Sequence, residues 1–139
     1  MDPTVPPPRR PTAPHAATWL ASLAVLVFHA PLLTGRVPDG FDVVNEKLFW
    51  RTWTFDRLRH GEWPLWNPAV LGGYPMHADP VQALFYPLEW IHLVLPHPLA
   101  IGVSFTAAGL IACWGAIRLA RALGAEPWGA AVAGVACAT

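Results

Sequence analysis

Apolar positions concentrate in three stretches of the chain, and a long mixed segment separates the first from the second. The first stretch, "AATWLASLAVLVFHAPLLT" from Ala16 to Thr34, contains no charged residue. At about 1.5 Å per helical residue, a run of this length approaches the roughly 30 Å hydrocarbon core of a bilayer. The pattern therefore predicts a transmembrane helix over 16–34. A signal peptide is the alternative, since Arg9 and Arg10 precede the run, but the run is long for one and no small-x-small cleavage site follows.

The second stretch predicts another transmembrane helix over 99–123. It carries many glycines and alanines, which favour close helix packing in a membrane, and Gly124 is a natural C-cap. The third stretch starts at Pro127 and reaches only Thr139, which is too short to span. We therefore expect an N-terminal piece of a longer, all-α, polytopic membrane protein, with 127–139 as the start of a third span.

The mixed segment 35–98 predicts two helices around a turn-rich centre. The stretch "FDVVNEKLFWRTWTFDRLRH" has no proline or glycine and ends before Gly61, so we expect an amphipathic helix over about 42–60 with tryptophans at headgroup depth. A second, interfacial helix is expected over about 81–95. Between them, 61–80 is rich in proline and glycine and excludes regular structure. An irregular loop of that length is uncommon unless it is functional. We expect the rings of Trp63, Trp66 and Tyr86 to pack together there.

Composition and charge support a membrane protein. The chain is 54% hydrophobic and 13% charged with no net charge, whereas soluble domains carry about 25% charged residues. No clustered basic footprint for nucleic acid is present, and Cys113 and Cys137 have neither metal-ligand nor disulfide spacing. The proline-rich residues 1–15 are expected to be a disordered tail. Arginines at 9–10 and at 118 and 121 mark the same side, so the positive-inside rule places the N-terminus in the cytoplasm and the loop outside.

The loop sequence "GEWPLWNPAVLGGYPMHADPVQALFYPLEW" resembles the signature of the YfhO-type bacterial membrane proteins. That signature is roughly G-E-x-P-L-W-N-P, then G-G-x-P, A-[DN]-P-Q and F-Y-P-L-N. The resemblance implies a GT-C-like glycosyltransferase of the bacterial inner membrane, which moves a sugar from a polyprenyl-phosphate carrier to an extracytoplasmic acceptor such as a cell-envelope polymer. Three positions depart from the pattern: Val81 is inserted before Gln82, Glu89 replaces an asparagine, and Phe49 replaces a proline. The alternative is a non-catalytic membrane protein, such as a transporter or envelope-assembly factor.

The resemblance also directs attention to particular side chains. A glycosyl transfer needs a carboxylate as general base and cations that offset the charge on the phosphate. GT-C enzymes place that base in the first outer loop, which here offers Asp42, with Asp39 as the alternative. Asp42 also suits an N-cap and Asp39 an Asp-Gly turn. The substrate-binding candidates, each with a structural alternative, are His77, Asp79, Gln82 and Tyr86.

The expected partners are membrane lipids and the polyprenyl-phosphate-linked sugar donor. No cluster of residues with recognised metal-ligand spacing occurs in the sequence, so no metal site and no cofactor are predicted.

Overall fold

The computed structural model describes residues 14–80 and 83–139. The predicted disordered tail lies almost entirely outside these residues, as do Val81 and Gln82. The described chain is helical: α1 (Pro14–Leu33), a π-helical turn (Val43–Leu48) that continues into α2 (Phe49–Arg59), 3₁₀ segments at Met76–Ala78 and Pro87–Leu93, α3 (His97–Ala122) and α4 (Pro127–Ala138). Within the described ranges, extended pairing is limited to one isolated antiparallel bridge between Asn67 and Tyr74.

Two of these helices have the length and composition needed to cross a membrane. They cover His15–Leu33 and His97–Ala122, and the apolar α4 is shorter. The helices predicted over 16–34 and 99–123 are thus confirmed as helices. Helix α3 starts at His97, two residues before the predicted start. Pro98 is tolerated there because the N–H groups of the first helical turn have no partner within the helix, so the N–H that proline lacks is not needed.

The chain divides into two compact units, with boundaries inside α1 and α3. The first unit combines residues up to 25 with residues 110–139. Its core consists of small side chains from α1, α3 and α4: Ala17, Ala21, Val25, Cys113, Ile117, Ala130 and Ala131. The Trp114 indole N–H donates a 2.9 Å hydrogen bond to the Ser22 hydroxyl, so this contact also ties α1 to α3. Small side chains allow these helix backbones to approach closely.

The second unit comprises residues 26–109 and contains the predicted amphipathic helix. Helical conformation already includes Phe41 and Asp42, and the Gly40 carbonyl accepts hydrogen bonds from the backbone N–H groups of Val43 and Val44. Asp42 therefore lies in the first turn, and the prediction that it caps this helix is wrong. Directly after Asp42 the helix contains a π turn, which the residue pattern did not indicate.

The centre of the loop is largely irregular, although it contains the 3₁₀ segment Met76–Ala78 and the bridge, and it is organised around Asn67. Its side chain is 1% exposed, its Oδ1 accepts from the Ala69 N–H at 3.0 Å, and its backbone pairs with Tyr74 in both directions. The chain reverses through positive φ angles at Leu71, Gly72 and Gly73. A Cβ on Gly73 would lie 2.3 Å from the Trp66 ring, so the indole packs directly on that glycine.

The predicted packing of Trp63, Trp66 and Tyr86 is wrong. These side chains are 48%, 56% and 44% exposed, respectively. Where the structure describes ring contacts in this loop, Trp50 and Tyr74 meet edge to face with centroids 4.8 Å apart. Instead of these aromatic rings, the side chain of Met76 is fully buried within the loop.

The helix predicted over 81–95 is also wrong in kind and extent. In the described part of this segment, from residue 83 on, Ala83 has φ 50° and regular structure begins at Pro87, as a 3₁₀ segment that ends at Leu93. A proline disfavours helical conformation in the residue before it, so Tyr86 is extended and the segment starts at Pro87. Pro96 similarly separates it from α3.

Close backbone contact between α1 and α3 in the second unit gives a testable prediction. A Cβ on Gly102 would lie 2.2 Å from the Leu32 carbonyl oxygen, whereas one on Gly115 would meet nothing within 4 Å. We expect Gly102→Ala to destabilise the protein by about 1–3 kcal/mol through overpacking. Gly115→Ala should be neutral or stabilising, because alanine is the better helix former. Unfolding in detergent micelles measures both, and equal stability of the two variants would contradict the contact.

Candidate functional site

A buried ion pair joins α2 to the 3₁₀ segment Pro87–Leu93. Arg51 Nε lies 3.1 Å from Glu89 Oε2, and the two side chains are only 8% and 6% exposed. The angles at this contact do not meet hydrogen-bond criteria, so the attraction is mainly coulombic. Burial lowers the pKa of Arg51, and Glu89 opposes that shift by stabilising the cation. Arginine remains charged even so, and the second unit therefore encloses a fixed positive and negative charge.

The ion pair forms part of the wall of a cleft of about 170 Å³. Lys47, Arg51, Tyr86 and Glu89 supply its polar side, and α3 supplies the rest with Ile101, Ser104, Phe105 and Ala108. Lys47 Nζ lies 5.1 Å from the centre of the Phe105 ring, a distance suited to a cation–π contact. The Ser104 hydroxyl donates to the Leu88 carbonyl at 3.0 Å and so holds the 3₁₀ segment against α3. The cleft thus places two cations and one carboxylate beside an apolar helix face.

A row of ionisable side chains leads from the cleft to the surface of the second unit. Glu89 Oε2 is 3.3 Å from His92 Nε2, the Nδ1 atoms of His92 and His97 are 3.0 Å apart, and His97 Nε2 is 3.0 Å from Asp56 Oδ1. His92 is fully buried and stacks on Phe55 with centroids 5.0 Å apart, whereas the Asp56 side chain is 47% exposed. We call Glu89, His92, His97 and Asp56 the histidine row. Its two ends face different surroundings, the cleft and water.

Arg59 holds the outer part of the histidine row in place. Its Nη2 donates to the backbone carbonyls of His92 and Leu95, the latter at 2.7 Å. Its Nη1 lies 3.3 Å from Asp56 Oδ1 and 3.4 Å from His97 Nε2. One guanidinium thereby ties the C-terminal turn of α2 to the end of the 3₁₀ segment and to the first residue of α3. Such a planar fork of donors suits several acceptors at once.

Of the predicted site residues that the structure describes, only Tyr86 lines the cleft. Asp39 and Asp42 are exposed, and neither carboxylate has a hydrogen bond or ion pair with the part of the chain that the structure describes. His77 is exposed in the 3₁₀ segment Met76–Ala78. Asp79 accepts a 3.1 Å hydrogen bond from the Tyr74 hydroxyl, which is a loop-stabilising contact. The prediction for Gln82 lies outside the described residues.

The cleft and the histidine row were missed by reasoning from the sequence. The ionisable side chains that were missed are Lys47, Arg51, Glu89, His92, His97 and Asp56, together with Arg59, which holds the row in place. The sequence did contain one indication of this site. Only 13% of its residues are charged, yet Glu89 and His92 lie one helical turn apart in an otherwise apolar segment. A buried charge requires a partner, so each such residue called for one elsewhere in the loop.

Among the described residues, no group of three or more histidine, cysteine, aspartate or glutamate side chains is arranged to hold a metal ion. Comparison of the chain with protein-family models, with curated proteins and with solved structures finds no match.

The buried ion pair gives a second prediction. Arg51→Met leaves the Glu89 carboxylate enclosed without its cation, and breaking a buried pair in this way costs about 3–5 kcal/mol. The double variant Arg51→Met/Glu89→Leu should recover most of the loss, because no uncompensated charge remains.

Arg57 and Glu62 provide a matched control, since their ion pair has side chains that are 48% and 56% exposed. Arg57→Met should barely change the unfolding midpoint, as is usual for exposed pairs. A loss for Arg51→Met no larger than that for Arg57→Met would contradict the burial of the pair.

Proposed function

We propose that this chain belongs to a membrane glycosyltransferase of the GT-C type, which transfers a sugar from a polyprenyl-phosphate carrier to an extracytoplasmic acceptor. The observation that carries the proposal is the cleft, in which Lys47 and Arg51 face an apolar surface of α3. A polyprenyl-phosphoryl sugar combines the same two properties, an anionic phosphodiester and a hydrocarbon chain. The resemblance of 61–90 to the YfhO-type signature supports the same class.

The charges of the cleft favour an anion with an apolar tail. Lys47, Arg51 and Glu89 together give the cleft a net charge of one positive unit. Only Nε of Arg51 faces Glu89, so its two terminal nitrogens can still bind an anion. A guanidinium fork matches the paired oxygens of a phosphate. The side chains of Ile101 and Phe105 on α3 would contact the first prenyl unit, and Tyr86 would lie beside the sugar. The phosphate then binds at the level where the apolar helix begins.

Asp42 remains our candidate for the general base, with Asp39 as the alternative. Asp42 precedes the π turn directly and Lys47 lies within it, five residues later. A π turn closes with i→i+5 hydrogen bonds, so positions five apart lie close to the same face. An exposed carboxylate there is accessible to an acceptor hydroxyl that arrives from water. His77 and Asp79 would contribute to acceptor binding from the loop.

The proposed location is the bacterial inner membrane, with the second unit's loop outside and the N-terminus inside. In a background without Cys113 and Cys137, we expect a cysteine at Leu71 to react with a membrane-impermeant maleimide in intact cells. Leu71 is 86% exposed in the loop. A cysteine at Leu123, 80% exposed after α3, should react only after the cells are permeabilised. The reverse labelling pattern would overturn this topology.

The proposed activity is tested by sugar transfer in membranes that contain the whole protein, with a polyprenyl-phosphoryl sugar as donor. Asp42→Asn should lower the transfer rate by about 10²–10⁴-fold, the usual contribution of positioned proton transfer. Asparagine keeps the shape of the side chain, so expression should not change.

Glu126→Gln, at an exposed carboxylate outside the loop and its signature, serves as the matched control and should transfer at the normal rate. If Asp39→Asn loses activity and Asp42→Asn does not, the alternative base is the correct one. Normal rates in both variants would exclude these two carboxylates as the base.

A further inference from the structure

A groove of about 630 Å³ lies between α1 and α3 in the first unit. Its wall on α3 includes Ile111, Trp114, Gly115 and Arg118, and α1 contributes His15 and Thr18. The α3 residues recur at intervals of three and four positions, so they share one face of that helix. At about 1.5 Å per residue, the groove extends roughly 10 Å along α3, from an apolar end at Ile111 to a cationic end at Arg118.

The indole of Trp114 forms a fixed wall of this groove. Its N–H donates to the Ser22 hydroxyl at 2.9 Å, and that hydroxyl donates in turn to the Thr18 carbonyl at 3.0 Å. The polar atom of the indole is therefore bonded within the protein, and the ring carbons remain for an apolar ligand. Beside this ring, Gly115 keeps the groove open, because a Cβ at that position would meet nothing within 4 Å.

Arg118 is a cation that is available to a ligand. Within the described chain its guanidinium forms no hydrogen bond or ion pair, whereas that of Arg121 donates to the Ala125 carbonyl at 2.8 Å. The described residues that line the groove include no carboxylate. An anion bound there would meet Arg118 and the ring N–H of His15, which is a donor in either protonation state. A zwitterionic headgroup would leave its ammonium without a counter-charge, so the groove complements an anionic one.

The depth of Arg118 in the membrane favours a lipid as the ligand. Helix α3 has 26 residues and is about 39 Å long, which exceeds the roughly 30 Å hydrocarbon core. Arg118 lies one turn before the end of α3, and its long side chain can extend to the headgroup layer. Ile111 and Trp114 then lie at the depth of the acyl chains. A guanidinium matches the paired oxygens of a phosphate, and basic pockets between transmembrane helices bind phospholipid headgroups.

We propose that this groove binds one anionic phospholipid, with the phosphodiester at Arg118 and His15 and an acyl chain along Trp114 and Ile111. The groove shares no residue with the cleft. The inference therefore does not rest on the proposed function, and it requires only that α1 and α3 cross the membrane. Because the lipid contacts both helices, its binding stabilises the folded first unit.

The test is native mass spectrometry of the whole protein in detergent micelles, titrated with phosphatidylglycerol. We expect one lipid to bind more tightly than any that follow, and phosphatidylcholine with the same acyl chains to bind that site more weakly. Arg118→Gln should weaken binding of the first lipid by about tenfold or more, which corresponds to the loss of one charge-assisted hydrogen bond. Gly115→Leu keeps every charge and fills the groove, so it should also weaken binding.

Arg121→Gln is the matched control, because it removes the same charge from the same end of α3. The Arg121 guanidinium is bonded to the Ala125 carbonyl and does not line the groove, so this variant should bind the lipid almost normally. Equal losses for Arg118→Gln and Arg121→Gln would overturn the proposal, since they would show only a general attraction to a basic helix end. Phosphatidylcholine that binds as tightly as phosphatidylglycerol would overturn it too. Glycerol phosphate that binds as tightly as the lipid would indicate a site for a soluble phosphate instead.

A second measurement keeps the proposal testable if Arg118→Gln does not fold. The unchanged protein is placed in phosphatidylcholine vesicles that contain a minor fraction of phosphatidylglycerol with a photoreactive acyl chain. After irradiation, peptide mapping should find this lipid enriched on the segment that contains Ile111 and Trp114, relative to the same photoreactive chain on phosphatidylcholine. Equal labelling by the two lipids would refute the site. A dimer that Gly115→Leu dissociates would show that a second copy of the chain, and not a lipid, occupies the groove.

Discussion

Enclosure of the Arg51–Glu89 pair is the constraint on which the second unit depends. Neither charge is tolerated inside the protein without the other, because an isolated buried ion costs far more than any local packing gain. The pair therefore fixes α2 against the 3₁₀ segment at one separation. Ser104 then sets that segment against α3, and Arg59 closes the far end. The cleft lies between α2, the 3₁₀ segment and α3, beside the first two of these contacts.

The pattern of apolar residues was sufficient to predict those helices whose conformation follows from their own local sequence. Helices α1, α3 and α4 are apolar over most of their length, and the helix that ends at Arg59 has no proline or glycine for its whole length. In each of these, local preference and environment favour the same conformation. The helix predicted over 81–95 was wrong because the prediction rested on the apolar content of the segment. Pro87 and Pro96 restrict the backbone of their neighbours more strongly than apolar content favours a helix.

The candidate site was harder to predict because its members are distant in sequence. His97 meets Asp56 across 41 positions, and Arg59 reaches the Leu95 carbonyl across 36. No local pattern indicates such pairings. Asp42 and Asp39 became candidates because the resemblance points to a position after the first span, whereas Glu89 was noted only as a departure from the signature. That departure is the residue that links the cleft to the histidine row.

The π turn Val43–Leu48 has a consequence for how this segment tolerates change in length. A π turn is an α-helix with one extra residue accommodated as a bulge. Deleting a single residue within it would restore regular α geometry, and Asp42 would then stand four positions before Lys47, on the same face of the helix. The same deletion inside the regular part of α2 would instead rotate everything before it by about 100°. Chains of this fold should therefore tolerate the loss of one residue between Gly40 and Arg51 only within the π turn.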